Sequence, residues 1–247
     1  VYLNNSSSTD STGSVSISGS GELIATGDAA SGSQGKSAGV YLDNSSSTDS
    51  VSVSDGGSLN ATGDAASSSY GVYANGSVRI FDGMITAQSG AASNKSAGVH
   101  SVSMNVEGGI VTATGGTASD TNGTSAGVYA GSVSVLGSGE LTATGDEASG
   151  FVGKSAGVYF QPSGSMTVSG GKVKVTGDTA RDISGTSAGV YFQSSGSMNV
   201  SGGTVEATGD SASGTFGKSG GVYFQFSGSV IVSGGKVTAQ SNAAETS

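Results

Sequence analysis

Apolar and polar residues alternate along this chain in short runs, and glycine separates the runs. Between Ser155 and Thr186 there are three: Ala156-Gly157-Val158-Tyr159-Phe160, Ser165-Met166-Thr167-Val168-Ser169 and Lys172-Val173-Lys174-Val175-Thr176. Gly170-Gly171 closes the second run and Gly177-Asp178 the third. Alternation at period two is the mark of a half-buried strand, and it places Ala156, Val158 and Phe160 on one face of the first run. The pattern recurs with Val51 and Val53 followed by Leu59 and Ala61, and with Val133 and Val135 followed by Leu141 and Ala143. No segment has a helical period.

The strand triplets repeat. A motif built on Gly-Val-Tyr places its valine at Val1, Val40, Val72, Val99, Val128, Val158, Val190 and Val222, at spacings of 27 to 39 residues. Self-similarity at this period means stacked units that each bury one face against the next. Three strands per unit, stacked in parallel, predict an all-β parallel β-helix: a solenoid of about eight coils with the right-handed crossover that parallel connections favour. A propeller blade needs about 40–45 residues, more than most of these units contain. Residues 1–247 then form one repeat domain, a rod on the order of 34 Å long at roughly 4.8 Å per coil. Two positions after each repeated valine stand Leu3, Leu42, Ala74, Ser101, Ala130, Phe160, Phe192 and Phe224, which predicts a phenylalanine ladder in the last three coils and a thinner middle. The chain starts inside a unit and neither end shows a cap, as expected of a fragment of a longer repeat protein. Uncapped strand edges invite self-association or fibre formation.

Composition narrows the partners. The net charge is −9, from 18 acidic and 9 basic residues without a basic cluster, which argues against nucleic acid. No apolar run approaches the roughly 20 residues of a membrane span, so direct membrane insertion is not expected. Cysteine is absent and glycine numbers 45, leaving stability to stacking alone. Such acidic, cysteine-free, Ser/Thr/Gly-rich repeats suit an extracellular or bacterial cell-surface setting. The sequons at Asn75-Gly76-Ser77 and Asn122-Gly123-Thr124 follow from the abundance of Asn, Ser and Thr.

If the repeated valine points inward, alternation turns its successor outward: Tyr2, Tyr41, Tyr73, His100, Tyr129, Tyr159, Tyr191 and Tyr223. This column has two readings, an exposed aromatic stripe that stacks on sugar faces or a set of rings that stack on one another. A second column follows the third strand, at Asp28, Asp64, Asp146, Asp178 and Asp210, with Gly116 breaking it. Carboxylates repeated at one corner could coordinate calcium. They could equally be solvated turns or partners of Lys36, Lys154 and Lys218, which close three of the same loops. An ice-binding threonine array is not expected, because Ile24, Asn60, Lys174 and Glu206 interrupt Thr112/Thr114 and Thr142/Thr144. Catalysis has few candidates. His100 is the single histidine, and Asp82 and Glu107 are the acids closest to Arg79 in the repeat layout.

Met166-Thr167-Val168-Ser169-Gly170-Gly171, Met198-Asn199-Val200-Ser201-Gly202-Gly203-Thr204-Val205 and Ser187-Ala188-Gly189-Val190-Tyr191 resemble the repeats of bacterial secreted β-helix proteins. Such units occur in adhesin-like surface proteins and are similar to those of an extracellular carbohydrate-binding β-helix family with a polysaccharide-lyase-like fold. The resemblance covers essentially the whole chain and implies glycans or host-surface molecules as partners. Those carbohydrate-binding relatives often carry paired aspartates where this chain has one. The leading expectation is a noncatalytic structural or adhesive rod segment. A carbohydrate-binding module using the tyrosine stripe is the alternative, and a polysaccharide lyase or hydrolase comes third.

Overall fold

The computed structural model describes residues 1–3, 13–43, 49–181, 183–242 and 244–245. Among them there is no helix, and so none long and apolar enough to cross a membrane. The chain winds into a parallel β-solenoid of about seven turns. Its strands pair in parallel, each with its counterpart one coil away. Several strands run straight through a corner, as in Ala66–Gln88, Ala92–Thr114 and Lys154–Gly177.

Period-two alternation builds one continuous core. On the first face Val40, Val72, Val99, Val128, Val158, Val190 and Val222 stack in register. The second face stacks Val51, Val78, Met104, Val133, Met166, Met198 and Val230. The third stacks Leu59, Ile85, Val111, Leu141, Val173 and Val205. All of these residues except Val222 and Val230 at the C-terminal end are buried, in a single cluster from Ile17 to Ala207.

Ala156, Val158 and Phe160 do not share a face. Val158 and Phe160 enter the main core, while Ala156 joins Tyr159 in a second cluster outside it. Gly157 makes the swing possible. A Cβ there would lie 2.5 Å from the Thr176 nitrogen and 2.7 Å from Val175 Cβ, so only a residue without a side chain can press this strand against the third face.

The expected phenylalanine ladder is present, with Phe160, Phe192 and Phe224 stacked at 4.7 and 4.6 Å. Phe160 pairs with Ala130, and the wider coils carry a longer first corner. Gln161-Pro162-Ser163-Gly164 separates Phe160 from Ser165, where Gly131 alone separates Ala130 from Ser132. Each ring lies on the corner glycine. A Cβ at Gly164 would come within 2.5 Å of Phe160 Cβ, and Gly196 and Gly228 stand in the same relation to Phe192 and Phe224.

Candidate functional site

The repeated aromatic residues form a continuous column. Ring centroids are 4.7 Å apart for Tyr41–Tyr73, 4.6 Å for Tyr73–His100, 5.0 Å for His100–Tyr129, 4.8 Å for Tyr129–Tyr159 and Tyr159–Tyr191, and 5.3 Å for Tyr191–Tyr223. Tyr2 aligns with Tyr41 through the backbone, and its side chain lies outside the described part of the structure. The column is not the exposed stripe that alternation suggested. Tyr41, Tyr159 and Tyr191 are 2%, 3% and 2% exposed, and Tyr73, His100, Tyr129 and Tyr223 are part-buried.

Beside the column runs the loop that leads from each third-face strand to the next first-face strand. These loops stack as well: Ala92, Ala118, Ala148, Ala180 and Ala212 bridge in parallel. Val152 N–H donates to Thr121 O (2.8 Å), Ser184 N–H to Phe151 O (3.1 Å) and Phe216 N–H to Ile183 O (2.8 Å). Ala126, Ala156 and Ala188 pack with Tyr159 and Tyr191 in a second small core. Burial raises the Tyr159 and Tyr191 pKa values well above the ordinary phenol range, so these hydroxyls stay protonated.

Four of the nine cationic side chains line the edge of this column, on alternate coils. Lys36, Lys95, Lys154 and Lys218 are in register with Ser68, Thr124 and Thr186 in between. Two-coil spacing keeps their charges roughly 9.6 Å apart at the backbone, which weakens their mutual repulsion. The expectation that Lys36, Lys154 and Lys218 pair with the corner aspartates is not met. Lys36 Nζ donates to Tyr41 OH (2.7 Å) and lies 3.6 Å from Asp43, Lys95 Nζ sits 3.9 Å from the Tyr129 centroid, and Lys218 Nζ donates to Tyr223 OH (3.1 Å). Lys154 Nζ has no hydrogen bond or ion pair among the described residues. Burial lowers the pKa of both Lys95 and Lys154.

A cavity of about 320 Å³ opens between the loops beside the column and its C-terminal end. Tyr191, Tyr223 and Gln225 line one side, Asn122, Val152, Ser184 and Phe216 of the loops face them, and Lys154 and Lys218 complete the rim with Thr186. Tyr191 OH donates to Gln225 Oε1 (3.0 Å).

The aspartate column lies at the corner where these loops begin. The backbone N–H groups of Asp64, Asp146, Asp178 and Asp210 donate to Ser37, Ser125, Ser155 and Ser187 Oγ at 2.7–2.8 Å. Their carboxylates accept the next residue's N–H at Ala65 (2.7 Å), Glu147 (2.7 Å) and Thr179 (2.6 Å), and Asp210 accepts Asn242 Nδ2 (2.9 Å). Asp28 is exposed. Among the described residues no group of three or more His, Cys, Asp or Glu is placed to hold a metal ion. The buried serine column was not anticipated, although its signal is plain in the Ser-Ala-Gly-Val of most copies.

His100 occupies a tight site. The Tyr70 ring meets it edge-on at 5.5 Å, and its Nδ1 is buried without a partner. Burial, reinforced by the charges of Lys95 and Lys36, pushes its pKa down to about 3. On another face Arg79 lines an open cleft of about 560 Å³ with serines, Phe81 and Val102, while Asp82 and Glu107 line a separate one of about 380 Å³. The structure does not bring Arg79 and those two acids into one cleft.

Fold and columns together define a parallel β-solenoid repeat protein. No protein-family model, curated protein or solved structure matches the chain.

Proposed function

We propose that this chain is a noncatalytic structural and adhesive rod segment of a bacterial extracellular or cell-surface protein. The observation that carries this reading is the aromatic column. Its rings, repeated on every coil and suited to ligand stacking, are taken up in packing against one another and against Ala126, Ala156 and Ala188. An acidic, cysteine-free composition suits the extracellular setting, since no disulfide is needed when each coil is held by its neighbours.

The test is thermal unfolding of the Tyr159→Ala/Tyr191→Ala double variant beside a polysaccharide degradation assay of the wild type. Removing two buried rings should lower the melting midpoint by on the order of 15 °C, at a few kcal/mol per ring and roughly 2–4 °C per kcal/mol for a chain of this size. An unchanged midpoint would show that the column does not hold the rod together. Release of reducing ends or unsaturated products by the wild type would overturn the noncatalytic reading.

A further inference from the structure

The cavity beside Tyr191 and Tyr223 has chemistry that packing does not use. Lys154 is half-buried, and burial penalises its charge, yet among the described residues no carboxylate or carbonyl compensates it. Lys218 stands two coils further on, roughly 9.6 Å along the rod axis at the spacing of stacked strands. Between these two ammonium groups lie a threonine, the Tyr191 hydroxyl, which burial holds protonated, the Tyr223 hydroxyl and the Gln225 amide. The facing wall sets polar Asn122 and Ser184 beside half-buried Val152 and Phe216, which is 63% exposed. Among the described residues no carboxylate lines the cavity, in a protein of net charge −9.

We propose that this cavity binds an acidic oligosaccharide, a run of uronate sugars lying parallel to the rod axis. One carboxylate meets Lys154 and a second meets Lys218, so the ligand must carry charge at intervals that span two coils. Sugar hydroxyls exchange hydrogen bonds with Tyr223 OH and the Gln225 amide. The apolar face of a ring lies against Phe216, as saccharides lie on aromatic surfaces. A single small anion cannot reach both lysines, and a neutral glycan leaves the Lys154 ammonium without a counter-charge and Lys218 with only the Tyr223 hydroxyl. The site adds recognition to the rod and is independent of its stability, because neither lysine belongs to the core.

Titration calorimetry of the whole chain with oligogalacturonate, a neutral dextran oligomer and a sulfated dextran oligomer tests the proposal. Oligogalacturonate should bind, and Lys154→Gln should weaken it roughly ten- to a hundredfold, the range of a lost charge-assisted hydrogen bond. Lys218→Gln should do the same, Lys154→Arg should retain most of the affinity, and Lys174→Gln on the third face should change nothing. Melting curves of all variants should match the wild type, which separates loss of the ligand from loss of the rod. No oligogalacturonate binding at millimolar concentration, equal binding by Lys154→Gln, or equal binding of neutral dextran would overturn the proposal. Binding of the sulfated oligomer alone would overturn the carboxylate assignment.

Discussion

From Gly63 to Ser101 the loops beside the aromatic column are cut short, with Ala66 only two residues from Ser68 and Ala92 three from Lys95. In the C-terminal coils Ala148 is six residues from Lys154, Ala180 six from Thr186 and Ala212 six from Lys218. The two regions fill the same two spaces with different material. Where the loop is long, small Ala126, Ala156 and Ala188 lie beside full tyrosines. Where it is short, Tyr70 takes the alanine position, in register with Ala38 and Ala97, and reaches Tyr73 at 5.0 Å and His100 at 5.5 Å. A larger residue in one column is thus met by a smaller one in the next, histidine for tyrosine. Inside the coil the same exchange sets Phe160 with a longer corner against Ala74 and Ser101 with shorter ones. The lesson is that side-chain volume is exchanged between neighbouring layers as the loops vary, as close-packed interiors require.

The sharpest way to break the wide region is Phe192→Ala. The ring is fully buried between two other phenylalanines, and its removal leaves a cavity that the Gly196 corner cannot fill. The expected loss is about 3–5 kcal/mol, read as a lower urea midpoint.

In the middle region the comparison turns on pH. The unfolded chain protonates histidine near 6.5, whereas folded His100 stays neutral until about pH 3. Between those values the unfolded state holds the extra proton, so stability falls as pH falls through that window. The slope approaches about 1.4 kcal/mol per pH unit, and about 1.5 kcal/mol should be lost between pH 6.5 and 5. Subtracting the urea midpoints of His100→Gln from those of the wild type across this range isolates the effect from the carboxylates. A wild type that follows its variant in parallel would show that His100 does not carry it.

The smallest expected effect is a gain. Ser101 Oγ is buried without a partner at the position where the wide coils have phenylalanine. Ser101→Ala removes an unsatisfied hydroxyl and should raise stability by about 1 kcal/mol in the same urea assay.

Much of the fold was legible because a core with period-two faces leaves a direct trace in sequence. The three strands per coil, the parallel stacking and the phenylalanine ladder all follow from residues two apart. Burial of the tyrosines was not legible in that way. Alternation says that Tyr159 points away from Val158, but whether outward means solvent depends on what neighbouring coils set around it, here Ala126, Ala188, Tyr129 and Tyr191. Gly157 hid a second departure, since it lets Ala156 and Val158 part company at a spacing that ordinarily shares a face. The lysine edge was misread for a related reason. Lys154 and Lys218 close the loops that begin near the aspartates, yet the loop carries them to the tyrosine side, where charge meets ring and hydroxyl.

The ladder hydrogen bonds of this solenoid run along the rod, because its strands lie across it. A pull on the two ends therefore loads one coil at a time, and the chain peels as a zipper does. At up to about 3.5 Å per residue, each coil of some thirty residues that lets go turns roughly 5 Å of rod into about 100 Å of chain. A rod tethered at a surface would yield by lengthening stepwise, absorbing work while the remaining coils stay folded.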